Sequence, residues 1–396
     1  MRTTHTSHRL GRILSHSAPS HRVSRSYATI QYDRPTAGRV SEVEIHSARA
    51  YCSNLLRFIT SACRRTYDNP SFILKTFVPP VAQDAYLAIR AFNLDVASIA
   101  DATSNPTVGA MRMQFWREAI TKALAGTPPK EPVAILLAKA AEDLQARTEG
   151  KAKLSKSWFT RVINTRQEYL NNPPYPNLAA LETYAENTYS TLLYLTLQSL
   201  PMASLTADHL ASHIGKATGI ATVLRGLPHI VFPPPPKKHS NQAGFGGASG
   251  GGRQGAVMLP LDVMADAGVR EEEVFRQGAE APGLRDAVFT VATRASDHLI
   301  TAREMLRSLQ AGGNVSHEFE HQDEEEHRYG TIHTEAQSSP KEDVEKAFGV
   351  LMPAVATQMW LDRLQKADFD VFSPQLRTTG WQLPWRSYWA FNRRKF

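Results

Sequence analysis

Ala91-Phe92-Asn93-Leu94-Asp95-Val96-Ala97-Ser98-Ile99-Ala100-Asp101 sits inside the run that decides the fold. The run begins after Pro79-Pro80, where proline is tolerated in a first helical turn, and it places Ala85, Ile89, Phe92, Val96 and Ile99 on one helical face. Asn105-Pro106 ends it. Its two carboxylates do not form a pair. Asp95 and Asp101 are six residues apart, so at about 100° per residue they point about 120° away from each other.

The same helical spacing recurs outward in both directions. It predicts helices from Ile45 to about Arg65, Val108 to Leu124, Pro132 to Ala146, Ser157 to Leu170, Leu178 to Leu200 and Ala207 to Leu227, then Asp286 to Leu309 and Asp343 to Gln365. Strand-like alternation is almost absent, and the fold class is all-α. Two segments interrupt the pattern. Residues 232–255 pass from a proline run into a glycine-rich tract, and residues 311–341 are acidic and rich in His and Ser, so both are expected to be disordered insertions. The expected organisation is a leader over 1–32, a helical domain over 40–231 that continues over 256–310, and C-terminal helices with an aromatic, basic tail over 342–396.

Length and composition permit a full globular core: the 396 residues are 42% hydrophobic, and no window approaches the ~18 consecutive apolar residues of a membrane span. Only two cysteines, Cys52 and Cys63, are present, which excludes a disulfide scaffold and fits a reducing compartment. The net charge of +7 is concentrated at the start of the chain. Residues 1–32 hold Arg2, Arg9, Arg12, Arg22 and Arg25, many Ser and Thr, and no acid before Asp33, the composition of a mitochondrial transit peptide; Arg25-Ser26-Tyr27-Ala28 resembles a processing site after Tyr27. Without those arginines the basic count falls from 45 to 40 against 38 acids, a net of about +2, so no nucleic-acid partner is implied.

Two motifs are discounted by their surroundings. His317-Glu318-Phe319-Glu320-His321 matches the H-E-x-x-H zinc pattern, but the neighbouring acidic and polar residues provide no apolar face to pack a catalytic helix, and the pentamer reads as a solvated loop. Gly244-Phe245-Gly246-Gly247 lacks the preceding strand and following helix that aim a phosphate loop.

Other segments carry a resemblance. Pro79-Pro80, Ala88-Ile89-Arg90-Ala91-Phe92-Asn93, Met113-Gln114-Phe115-Trp116-Arg117-Glu118, Leu181-Glu182-Thr183-Tyr184, Gly215-Lys216-Ala217, Val223-Leu224-Arg225 and Met258-Leu259-Pro260-Leu261-Asp262 follow one another as in the squalene/phytoene synthase family, over roughly residues 45 to 306. The resemblance implies an isoprenoid-synthase-like helical bundle. In active members two aspartate-rich motifs on facing helices hold magnesium, which binds the diphosphate leaving group; magnesium requires hard oxygen ligands, and the departing charge must be neutralised. Aligned on Ala91-Phe92, the first motif reads Ala97-Ser98-Ile99-Ala100-Asp101, and only Asp101 retains a carboxylate. The second falls on Gly226 to Ile230 and has none; Pro228 is expected to end the helix there. Thr188-Tyr189-Ser190-Thr191-Leu192-Leu193 replaces a small-residue segment beside the substrate cavity.

Further segments, including Tyr184-Ala185-Glu186-Asn187-Thr188, His213-Ile214-Gly215-Lys216-Ala217 and Asp368-Phe369-Asp370-Val371-Phe372, resemble one branch of that family: non-catalytic mitochondrial proteins that act in the assembly of respiratory complex I. This implies no catalytic, cofactor-binding or metal-binding residue, complex I subunits or other assembly factors as partners, and a place at the matrix face of the inner membrane. Two readings stay open beside it: a working prenyl transferase with another metal arrangement, and a non-catalytic carrier of an isoprenoid or lipid. By family position Arg90, Arg112, Arg117, Lys216 and Arg225 lie nearest the old cavity, to meet an anionic headgroup or to form ion pairs with Glu118 or Glu186. The tail admits two roles. Trp381, Trp385 and Trp389 beside Arg393 and Arg394 form either an interfacial membrane contact or a packed last helix with Trp385 and Trp389 buried.

Overall fold

The computed structural model describes residues 40–57, 68–103, 105–200, 202, 204–233, 255–312, 339–378 and 380–396. The leader, most of both insertions, the His317–His321 pentamer, the glycine-rich tract, Cys63 and the end of the first predicted helix lie outside them. Fifteen α-helices and no strand are found among the described residues.

Recurring local chemistry sets the helix starts. Asn105 accepts from the Thr107 amide at 2.9 Å ahead of Pro106, which opens α4 (Pro106–Leu124). Glu131 accepts from the Val133 and Ala134 amides at 3.0 and 2.7 Å ahead of Pro132 and α5 (Pro132–Arg147). Each side chain satisfies amides that a helix N-terminus leaves unpaired, while the proline has no amide to lose.

The helix that carries the opening stretch, α3 (Gln83–Ala102), lies at the centre. Tyr86 to Asn93 is buried without interruption, so this half of α3 is enclosed on all sides rather than along one face. It packs against α1 (Glu42–Arg57), α4, α5, α6 (Lys156–Glu168) and α8 (Thr191–Gln198). Phe92 anchors the centre, edge-on to Trp116 and Phe159 at 5.5 and 5.3 Å.

The predicted helix over 178–200 is three pieces: α7 (Leu178–Ala185), a π-helical turn (Glu186–Ser190) and α8. The wide turn follows the hydroxyls, as Thr191 Oγ1 donates back to the Glu186 carbonyl at 3.0 Å and Thr188 Oγ1 to that of Tyr184 at 2.6 Å. Against it runs α9 (Leu205–Val231). Gly215 and Gly219, one turn apart, bring the two backbones together: a Cβ at Gly215 would stand 2.3 Å from the Ser190 Cα, and one at Gly219 2.5 Å from the Ala185 Cβ.

Two sequence expectations are corrected. Pro228 does not end α9, which continues to Val231. Proline removes one amide bond, but only a single turn follows, and that turn is held by buried Leu227 and Val231 and by the Phe232 amide, which donates to the Pro228 carbonyl at 3.2 Å. The helix predicted over 343–365 is two, α13 (Pro340–Ala347) and α14 (Pro353–Lys366). The chain turns between them where Gly349 meets the Phe77 carbonyl, which a Cβ would approach to 2.0 Å.

After α10 (Leu261–Asp266) and α11 (Glu271–Gln277), α12 (Leu284–Gln310) lies along α9. The last helix, α15 (Leu383–Arg393), packs on α14 and α2 (Asn69–Leu74). Leu383 and Ser387 face inward, and Phe391 meets Phe77 at 5.2 Å. Trp385 and Trp389 are exposed, which overturns the reading that buries them.

Candidate functional site

The space between the middle of α3 and the π-helical turn is filled by the protein's own polar side chains. Arg166, on α6, extends the apolar face made by Trp158, Phe159, Val162 and Ile163. Its guanidinium donates to the Tyr184 hydroxyl at 2.6 Å and to Asn93 Oδ1 at 3.1 Å, and it lies over the rings of Tyr184 and Tyr189 at 5.4 and 5.5 Å. Among the described residues the Arg166 Nε has no hydrogen-bond partner. Tyr169, Tyr175 and Tyr184 cluster with ring centroids 4.8 to 5.4 Å apart. Burial pushes these three phenols above their ordinary range, so they remain neutral and supply dipoles and π-faces rather than charge.

One turn before Asn93, Arg90 is buried; it lies over Tyr86 at 5.6 Å and reaches Asp68 at 3.9 Å. Asp68 in turn caps α2. Glu186 opens the π turn. Its carboxylate accepts from Tyr194 at 2.5 Å and Ser212 at 2.9 Å and lies 3.9 Å from Lys216. Burial pushes Glu186 up, but the Lys216 charge and these donors prevail and hold it below the usual carboxylate range.

The positions singled out in the sequence distribute as follows. Arg90 enters the buried cluster and Lys216 pairs with Glu186. Arg117 instead crosses to α6, donating to Asn164 and Gln167 at 2.7 and 2.8 Å. Arg112 is half-buried on α4, and Arg225 is exposed; burial, and after it the Arg225 charge, lower the Arg363 guanidinium from its ordinary range. On α3, Ala97 and Ser98 are half-buried, with Ser98 Oγ donating to the Asp95 carbonyl at 2.8 Å, and Asp101 is exposed. On α9, Gly226 is open, with Ile230 Cδ1 at 4.0 Å from a hypothetical Cβ, and Ile230 packs on the core.

Among the described residues no three His, Cys, Asp or Glu side chains converge to hold a metal ion. At the motif positions Ala97, Ser98, Asp101, Gly226 and Ile230 the side chains offer one exposed carboxylate, a hydroxyl committed to its own helix, and otherwise hydrogen or hydrocarbon. This set does not fit the magnesium cluster that the fold family uses, for which several hard oxygen ligands must face one point.

Sequence reading missed a second cluster that joins three helices. Glu182 on α7 accepts from His298 Nε2 at 2.7 Å and from Arg294 Nε, both on α12, and His298 Nδ1 meets His213 Nδ1 of α9 at 3.0 Å, so one ring donates and the other accepts. Burial pushes the Glu182 carboxyl up, but His298 and Arg294 outweigh it and bring it down to about 2. Glu182 and His213 stand in the quoted family segments, and His298 is in phase with the apolar residues of α12, but nothing in the sequence joins the three.

The squalene/phytoene synthase family model matches residues 65–382, further toward the C-terminus than the quoted motifs. Two solved structures share the fold: squalene synthase HpnC from Alicyclobacillus acidocaldarius (TM-score 0.54, 15% identity, covering 83% of this chain and 97% of that one) and a dehydrosqualene synthase in complex with ligand (TM-score 0.56, 13% identity, 89% and 99%). Among curated relatives, NADH dehydrogenase (ubiquinone) complex I, assembly factor 6 of Mus musculus is 33% identical over 355 residues, 90% of this chain and 85% of that protein. The Homo sapiens protein of the same name is 31% identical over 334 residues, 84% and 79%. The chain belongs to the squalene/phytoene synthase family and, within it, is similar along most of its length to relatives named for complex I assembly.

Proposed function

We propose that this chain is a mitochondrial assembly factor for respiratory complex I, using a degenerate squalene/phytoene-synthase fold as a binding scaffold at the matrix face of the inner membrane. The observation that carries the reading is the similarity to proteins named complex I assembly factor 6, which runs through 90% of the chain. The site supports it from a second direction. Where an active relative would place carboxylates, α3 and α9 present Ala97, Ser98, Gly226 and Ile230, and Tyr189 and Arg166 occupy the neighbouring space. The chain is accordingly a pseudoenzyme. Among the described residues no helix is long and apolar enough to cross a membrane, and the proposed association is peripheral.

The test is rescue of complex I assembly in cells that lack the protein. Wild type and Asp101→Ala are both expected to restore the assembled complex, since Ala97, not a second carboxylate, stands one turn before Asp101 on α3. In parallel, purified protein is incubated with labelled farnesyl or geranylgeranyl diphosphate and magnesium. Enzyme-dependent release of diphosphate would overturn the pseudoenzyme reading, and failure of wild type to restore the complex would overturn the assembly reading.

A further inference from the structure

On α15, Trp385, Tyr388 and Trp389 lie within about 100° of the helix circumference, with Trp381 just ahead of the first turn. They are 63, 52, 55 and 78% exposed, respectively. The opposite face is already used: Leu383 and Ser387 are buried, and Phe391 packs on Phe77 and Phe348. Folding therefore fixes the helix and turns its aromatic stripe outward, a large apolar surface that a lone soluble domain rarely leaves open.

One edge of the stripe is cationic. Residues 381–396 include Arg386, Arg393, Arg394 and Lys395 and no Asp or Glu. Arg393 lies 5.1 Å over the Trp389 ring, and Arg394 lies 4.2 Å over Phe391, which anchors it to the body of the protein. Arg386 meets Asp362 at 3.6 Å, an exposed pair that is easily exchanged. Beside Trp389 a groove of about 480 Å³ runs between α14 and α15, with Val355, Met359 and Phe396 along its floor and Arg386, Arg393 and Lys395 on its rim.

We propose that this face of α15 is a docking surface for an anionic phospholipid bilayer. The aromatic stripe sits at headgroup depth, and the rim cations receive a lipid phosphate at the mouth of the groove. Charge complementarity selects this occupant: three cations frame an apolar slot, and amphipathic Trp and Tyr rings lie beside them at the level where such rings partition. Trp, Tyr and Arg also suit a protein interface, but residues 381–396 carry four cations and no acid, which favours the anionic bilayer. The inference deepens the peripheral membrane placement proposed above and rests on that reading for which bilayer is met; the surface itself is read from α15.

Flotation of the full chain with vesicles of phosphatidylcholine, alone or mixed with phosphatidylglycerol, tests it. Wild type is expected to float with the mixed vesicles, to float poorly with phosphatidylcholine alone, and to release as salt rises. Trp385→Ala/Trp389→Ala is expected to weaken binding by about tenfold, because partitioning scales with the apolar area inserted. Arg393→Glu/Lys395→Glu is expected to reduce binding to the phosphatidylcholine level. All four positions are exposed, and unchanged melting curves establish that the variants fold. Wild type that ignores both vesicles or treats them alike would overturn the proposal, as would a folded double variant that binds like wild type. Absence of vesicle binding by wild type, with assembly rescue lost in the Trp385→Ala/Trp389→Ala variant, would assign the stripe to a protein partner instead. Vesicle binding as expected, together with failed rescue by wild type, would uphold the lipid surface while removing the assembly reading.

Discussion

The closeness of α9 to the π-helical turn is testable with one substitution made twice. Gly→Ala in the interior of an exposed helix is ordinarily favourable by about 0.8–1 kcal/mol, because alanine has fewer unfolded conformations to lose. At Gly226 the new methyl would meet only Ile230 Cδ1 at 4.0 Å, so Gly226→Ala should stabilise the protein by about that amount. At Gly215 the same methyl would stand 2.3 Å from the Ser190 Cα and Oγ and 2.5 Å from its amide nitrogen. Carbon atoms pack at about 3.5–4.0 Å, so α9 and the π turn must separate by more than about 1 Å, and backbone cannot rotate away as a flexible side chain would.

Overpacking in a closed core costs about 1–3 kcal/mol, and a clash with backbone belongs at the upper end or beyond it. After the propensity gain is subtracted, Gly215→Ala should destabilise by about 2 kcal/mol or more. The two substitutions on one helix therefore have opposite signs. Urea unfolding followed by circular dichroism, compared at equal m-values, reads both. If Gly215→Ala shifts the midpoint upward like Gly226→Ala, the close contact between α9 and the Glu186–Ser190 turn is refuted, and with it the account of how the interior is filled.

Two carboxylates give pH signatures of opposite sign. Glu182 is depressed from 4.5 to about 2 by His298 and Arg294 despite burial, so its contribution is full above about pH 4.5 and is lost as pH falls through about 2. Glu182 is partly solvated, which reduces the nominal linkage to about 1–2 kcal/mol; Glu182→Gln should lose that much at neutral pH, and its deficit relative to wild type should shrink below about pH 4.5 in denaturation measurements. Glu131 is raised by burial from 4.5 to about 7, against the pull of the two amides that it caps. Ionising it costs folding free energy as pH rises from about 4.5 through about 7, by up to about 3 kcal/mol. Glu131→Gln keeps one acceptor for the α5 N-terminus and cannot ionise, so its stability should gain on that of wild type as pH rises through that window; a pH-independent difference would contradict the burial of this cap.

Helix order was legible because each start is local: Asn105-Pro106 and Glu131-Pro132 carry cap and proline together, and the apolar spacing between them needs no distant partner. The breaks that were missed depend on residues far away in sequence. The turn at Phe348–Met352 exists because Gly349 must approach the Phe77 carbonyl, and α9 survives Pro228 because Leu227 and Val231 are buried on the core. The candidate site divides in the same way. Missing aspartates at Ala97, Gly226 and Ile230 can be read directly, whereas the inward course of Arg166 requires Tyr184 and Tyr189 from the next helices. The Trp385 and Trp389 spacing fits a core or an interface equally well; Leu383, Ser387 and Phe391 decide it by taking the inward face first.

A magnesium cluster and the half-buried Arg166 guanidinium make opposite demands on one space. Asn93, which accepts from Arg166, lies one turn before Ala97 on α3, so the Arg166 cation lies beside the face where the family pattern places its first aspartates, whereas Arg90 reaches back to Tyr86 and Asp68. Carboxylates there would meet the Arg166 guanidinium as well as a divalent ion, and a divalent ion without carboxylates would meet its positive charge. Changing Ala97, Ser98, Gly226 and Ile230 to aspartate would thus not by itself create a metal site. Arg166, held to Tyr184 and Asn93 and lying over Tyr189, would compete for those aspartates, so the packing of the interior as well as four side chains separates this chain from a magnesium-binding relative.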